Sequence, residues 1–275
     1  MNGLDWSELV VLAIGVVGAG AAAGLIAGLL GVGGGIVAVP VLYAALEVLG
    51  VPESVRAHIA VGTSLACIVP TAIVSIRAHA ARGAVDVALV RRFGIFIVLG
   101  AVLGTWVAAG LKGPALAAIF GALALVAAIQ MVATPENTHL RDRLPPDPVT
   151  AAITGLIGTL SAIMGIGGGT FAVPFLSLCS FPIRRAVGTA SAFGLLIAVP
   201  GAIGFIVTGW NLPDRPAGSL GYVSLIGLAL MVPTTILCTP LGARLAHGIP
   251  PVWLRRAFAL FLGIAGGRML LNALA

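Results

Sequence analysis

GVGGGIVAVP at residues 31–40 returns, 134 positions later, as GIGGGTFAVP at residues 165–174, with seven of ten letters identical. Each copy sits deep in apolar chain. Residues 9–46, 149–183, 186–213 and 216–243 contain no Asp, Glu, Lys or Arg. A bilayer span needs about 20 apolar residues, so each of these stretches is long enough to cross or deeply enter a membrane. Over all 275 residues, 59% are hydrophobic and only 9% charged, with mean hydropathy +1.14. A soluble domain of this size needs far more polar surface. The chain reads as an all-α polytopic membrane protein.

Working outward from the two glycine runs, other fragments pair in the same order. AVGTSLA (60–66) answers AVGTASA (186–192), each followed by a proline, Pro70 or Pro200. LGTW (103–106) and LGAR (241–244) hold matching places. The sequence therefore divides into a first repeat (1–133), a polar linker (134–148) and a second repeat (149–275), together forming one transmembrane domain. Each repeat opens with a glycine-broken unit and continues with three spans. These lie near 59–76, 93–111 and 115–133 in the first, and near 186–208, 219–243 and 254–273 in the second. Met1 to Glu8 carries two acids and no base, unlike a signal peptide, so the first apolar stretch is expected to be retained.

The glycine-broken units are too long for one span and short for two, which suits a hairpin of incomplete arms returning to its own side. Each repeat then holds an odd number of full crossings, and the halves are inverted. Basic residues agree. With the 77–92 connection in the cytoplasm, Arg77, Arg82, Arg91, Arg92, Arg141, Arg143, Arg184, Arg185, Arg244, Arg255 and Arg256 fall inside. Arg56, Lys112, Arg215 and Arg268 fall outside. Parallel halves would divide the same residues almost evenly.

Three consecutive glycines cost a helix about 1 kcal/mol each relative to Ala. Broken backbone at membrane depth survives only when buried in protein or lining a cavity. A break frees backbone N–H groups at the start of the following helix, and with the helix dipole these attract an anion without any charged side chain. The candidate substrate-binding residues are Gly33, Gly34 and Gly35 in the first repeat and Gly167, Gly168 and Gly169 in the second. The nearby hydroxyls Thr63, Ser64, Thr189 and Ser191 join them as donors. Close helix packing is the competing reading of the glycines, and a hydroxyl bonded to its own helix that of the hydroxyls.

The remaining features exclude more than they propose. Ile36 and Thr170 stand where a dinucleotide fingerprint needs its third glycine, and no Gly-Lys-Ser/Thr ending is present. No cofactor, metal or nucleic-acid partner is expected, despite the net charge of +6. Cys67, Cys179 and Cys238 read as packing residues. His58 and His79 flank one span at interfacial positions, as do Glu47 and Asp86, and Trp6, Trp106, Trp210 and Trp253 suit an aromatic belt. Nothing resembles a catalytic constellation, so the chain is not expected to be an enzyme.

The paired GVGGGIVAVP and GIGGGTFAVP, each followed by AVGT, together with ARGAVD (81–86), resemble the sulfite exporter TauE/SafE family over nearly the whole chain. The resemblance implies a multi-pass permease of the bacterial inner membrane moving sulfur-containing anions such as sulfite, thiosulfate or organosulfonates. The inverted repeats themselves lead to the expectation of a secondary transporter working by alternating access. A passive anion channel and a non-transporting scaffold or receptor stay open as alternatives. The expected partners are the small anion and the lipid bilayer, and a homo-oligomer is compatible with the sequence. The second repeat departs from the first by placing Ala190 where Ser64 stands, with Ser191 one place later.

Overall fold

The computed structural model describes residues 6–30, 34–133, 143–212, 216, 218–245 and 251–274. In chain order these form α1 (Trp6–Leu30), α2 (Gly35–Val48), α3 (Glu53–Ala80), α4 (Val87–Gly110) and α5 (Gly113–Ala133). Then follow α6 (Asp147–Met164), α7 (Gly169–Leu178), α8 (Ile183–Thr208), the strands β1 (Ser219–Leu220) and β2 (Val223–Ser224), α9 (Leu225–Leu245) and α10 (Pro251–Leu274). Among the described residues, seven helices are long and apolar enough to cross a membrane.

Helix ends follow local chemistry. Asp86 caps α4, its Oδ1 accepting from the Leu89 amide at 3.0 Å. α3 opens after Pro52 with Glu53 in its first turn and closes with Arg77 and His79 in its last, matching the helix dipole at both ends. α6 opens at Asp147, inside the stretch read as linker, because Pro148 fits a first turn where its missing N–H costs nothing. Residues 134–142 of that linker lie outside the described residues.

The exterior is apolar. Val11, Trp106, Leu237 and Leu271 are each more than two-thirds exposed, as suits side chains solvated by lipid tails. The centre is built on α3 and α8, which pack together and bury Leu65, Ile68, Phe193 and Phe205. Around them α1 packs on α9, α6 on α4, and α5 on α10.

These contacts pair off residue by residue. Gly24 meets the Thr235 carbonyl, and Gly158 that of Ile97; Gly242 meets the Leu25 carbonyl, and Gly104 that of Thr159. A Cβ at any of these four glycines would lie 2.1–2.4 Å from the facing oxygen, so glycine sets how closely the helices approach. Adding 134 to the α1 position and 138 to the α4 position converts each contact into another member of the set. On the central pair, Leu65 packs on Gly201, while Ser75 and Ser191 share a hydrogen bond of 3.0 Å. Here a shift of 126 carries 65 to 191 and 75 to 201. These contacts make α3 and α8 antiparallel. Gly121 packs on Leu270 while Gly266 packs on Leu125, which makes α5 and α10 antiparallel too.

Three expectations are corrected. The glycine-broken units have unequal arms: α1 has 25 residues, about 37 Å of helix, whereas α2 has 14 and α7 only 10. The glycines stop the chain only after a full-length first arm, and the second arm starts part-way back along it. The span expected at 219–243 begins at Leu225, because Gly218 and Gly221 take positive φ (76° and 58°) and fold 219–224 into a small hairpin. His58 is not interfacial but buried, 2% exposed, because α3 starts at Glu53 and carries it inside.

Candidate functional site

Both breaks face the centre of the bundle. At the first, Gly34 takes φ 71° and precedes α2, lying against the Ala23 carbonyl of α1. Its own carbonyl accepts from the Val37 and Ala38 amides at 3.1 and 3.2 Å. The amides of Gly35 and Ile36 find no acceptor among the described residues. Gly33 lies outside the described residues.

The second break takes a different path. α6 ends in a left-handed glycine, Gly165 (φ 67°), whose amide donates to Ala162 O while the Ile166 amide reaches Ser161 O at 3.0 Å. That is the paired closure typical of a glycine helix end. Gly168 then precedes α7 with an ordinary φ of −59°, and its carbonyl accepts from Ala172 at 2.8 Å. The amides of Gly169, Thr170 and Phe171 find no acceptor among the described residues. Pro40 and Pro174 hold the same place in α2 and α7. Lacking an N–H, they leave the Ile36 and Thr170 carbonyls without their helical donors.

The breaks touch. A Cβ on Gly35 would lie 2.5 Å from Gly165 O, 2.7 Å from Ile68 Cδ1 and 2.9 Å from Ser64 Oγ. Ser64, fully buried on α3, donates its proton to Gly165 O at 2.7 Å and lies 3.4 Å from Gly35 O. One hydroxyl therefore ties the two halves together at the junction. Gly167 and Gly168 lie against Gly194 of α8, and a Cβ at Gly168 would meet Phe193 Cβ at 2.9 Å. Beside the first break is a cavity of about 10 Å³, bordered by Ala23, Gly34, Gly35, Ser64, Cys67 and Thr235. That is room for one water, so an anion with several oxygens fits only if the breaks part.

The other three candidate hydroxyls are engaged elsewhere. Thr63 Oγ1 accepts from the Ser224 amide at 2.8 Å, and Thr189 Oγ1 from the Asp86 amide at 3.0 Å. Ser191 Oγ lies 3.0 Å from both Val187 O and Ser75 Oγ. Sequence reasoning passed over Ser161 and Thr170, whose buried hydroxyl oxygens have no partner among the described residues and which flank the second break. Hydroxyls in otherwise apolar helices beside the glycine run were the available signal.

Among the described residues, the ion pairs lie at the two ends. At one end Arg92 pairs with Asp147, and Arg185 with Asp86 at 2.9 Å. A pocket of about 390 Å³ opens there, lined by Asp86, Arg92, Arg143 and Asp147. At the other end Glu47 meets Arg56 at 3.5 Å and Arg268 at 3.4 Å. The 28 residues of α3, about 42 Å of helix, separate the two groups. The breaks between them carry only backbone dipoles and hydroxyls.

The family described as sulfite exporter TauE/SafE matches residues 4–269. A probable membrane transporter protein of Haemophilus influenzae is 36% identical over 254 residues, covering 92% of this chain and 96% of that protein. Another, from Methanocaldococcus jannaschii, is 30% identical over 90% of this chain and 91% of its own length. A third, from Xylella fastidiosa, is 34% identical over 70% of this chain and 71% of its own length. No solved structure matches. With seven membrane-capable helices and a family match over nearly its whole length, the chain is a multi-pass membrane transporter and belongs to the sulfite exporter TauE/SafE family.

Proposed function

We propose that the protein carries a small sulfur-containing anion, such as sulfite, thiosulfate or an organosulfonate, by alternating access between two inverted halves. The observation that carries this reading is the junction of the two breaks, where Gly35 of one half meets Gly165 of the other across Ser64. The free amides at the starts of α2 and α7 supply donors for anion oxygens. The cradle comprises Gly33, Gly34, Gly35 and Ser64 with Gly167, Gly168 and Gly169. Ser161 and Thr170 add hydroxyls on the second side, while Thr63, Thr189 and Ser191 act on neighbouring helices. A cradle of dipoles suits a carrier, because the anion must leave as readily as it enters and a buried Arg would hold it too strongly.

Inversion is supported by the antiparallel runs of α3 against α8 and α5 against α10, each of which pairs matching helices of the two repeats. It is supported too by the ion pairs. Arg185 reaches Asp86 and Arg268 reaches Glu47, partners that parallel halves would separate across the membrane. The sulfur chemistry rests on the family alone.

Thermal-shift titration of the purified protein with sulfite, thiosulfate, sulfoacetate, isethionate and taurine, against sulfate and chloride, tests the substrate class. A sulfur anion other than sulfate should raise the midpoint in a saturable way, and Ser64→Ala should shift that titration to higher concentration. No response to any sulfur anion beyond that to chloride would remove the reading.

A further inference from the structure

Two short segments outside the breaks repeat one contact with the central helices. Residues 84–86 lead into α4, and residues 222–224 lead into α9. Each ends in the residue that caps its helix: Asp86 accepts from the Leu89 amide, and Ser224 from the Gly227 amide at 3.1 Å. The backbone amide of each cap then donates across the molecule. Asp86 N–H reaches Thr189 of α8, and Ser224 N–H reaches Thr63 of α3. Two residues earlier, a carbonyl lies on the glycine before that threonine. Ala84 O would sit 2.4 Å from a Cβ on Gly188, and Tyr222 O 2.8 Å from one on Gly62. In AVGT, therefore, the glycine admits a crossing segment and the threonine holds it.

The third contact differs between the two. Residues 84–86 are fastened by the Asp86–Arg185 ion pair. Residues 222–224 are fastened by the Tyr222 ring, stacked 4.8 Å from that of buried His58, whose Nε2 lies 3.1 Å from Ala108 O.

Resting on the alternating-access reading, we infer that 84–86 and 222–224 are two latches, one at each end of the bundle, whose release in turn lets the breaks open to one side and then the other. Thr63 adjoins Ser64, the residue that ties the breaks, so freeing α9 from Thr63 frees the same turn of α3 to move. Thr189 stands equivalently beside Ala190. Thr63 and Thr189 are positioning residues here and do not hold the anion.

Cys67 borders the cavity at the first break and is 4% exposed, which makes it a reporter of opening. In a Cys179→Ser, Cys238→Ser background, the full-length protein in oriented vesicles is treated with a membrane-impermeant maleimide from either face. Thr63→Val should raise the rate of Cys67 labelling roughly three- to tenfold, the effect of losing one hydrogen bond, only from the face where Ser224 lies. Thr189→Val should do so only from the opposite face, and Thr63→Ser, which keeps the oxygen, should label like the parent. Arg185→Gln, at an exposed ion pair that does not endanger folding, should match the side of Thr189→Val with a smaller rise. Unchanged rates in both valine variants, rises from the same face, or an Arg185→Gln rise from the Ser224 face would overturn the latches. Labelling needs no sulfur anion, so a failed substrate screen beside side-specific labelling would remove the substrate and keep the latches, and the converse would remove only the latches.

Discussion

The first and second breaks share seven of ten letters and differ in backbone. At matched positions before the short helices, Gly34 takes a left-handed φ of 71° whereas Gly168 takes an ordinary φ of −59°. The first has a small cavity and a serine facing it from α3; the second has Ala190 at the serine's counterpart and two hydroxyls, Ser161 and Thr170, without a partner among the described residues. Identical glycines thus permit a break without dictating its path. Neighbours decide the path, and they divide the donors unequally between the halves.

The largest effect is expected where the breaks meet. Gly35→Ala forces a Cβ to 2.5 Å from Gly165 O, an overpacking that costs about 1–3 kcal/mol and abolishes transport. Gly15→Ala, where a Cβ meets nothing within 4 Å, leaves the thermal midpoint in detergent unchanged. Next come the positions that letters alone make equivalent. In stability, Gly34→Ala should add about 1–2 kcal/mol of positive-φ strain to the overpacking of a contact at 2.6 Å. Gly168→Ala keeps an allowed backbone and loses less. Equal losses at the two would show that the breaks share one geometry.

Ser64→Ala should follow at about 1 kcal/mol for a single buried hydrogen bond, read as a lower midpoint and a several-fold higher half-saturation for transport. Ala190→Gly, lacking a hydroxyl to lose, should leave half-saturation unchanged. Smallest is Arg268→Gln: an exposed pair at 3.4 Å from Glu47 contributes at most about 0.5 kcal/mol, so midpoint and flux should both match the parent.

Much of this was legible in sequence. The two glycine runs, their internal prolines and the order of apolar segments located the breaks and the helices. The direction of a hydroxyl was not. Thr63 and Ser64 are neighbours, yet about 100° apart around α3, and only tertiary packing decides that one meets Ser224 and the other Gly165. The hairpin at 219–224 hid for a similar reason. Its apolar letters continue the hydropathy of α9, and only the positive φ of Gly218 and Gly221 turns them out of the helix. His58 was misplaced because a span was judged by its apolar core, read from 59, whereas α3 begins six residues earlier, at Glu53.

The most direct measurement is counterflow. Proteoliposomes loaded with unlabelled sulfite, or with whichever sulfur anion gives the strongest thermal shift, are diluted into a trace of the labelled anion. Alternating access through the paired breaks requires a transient overshoot of label above its equilibrium level, lost in Gly35→Ala. A monotonic rise to equilibrium, the behaviour of a passive channel, would contradict it.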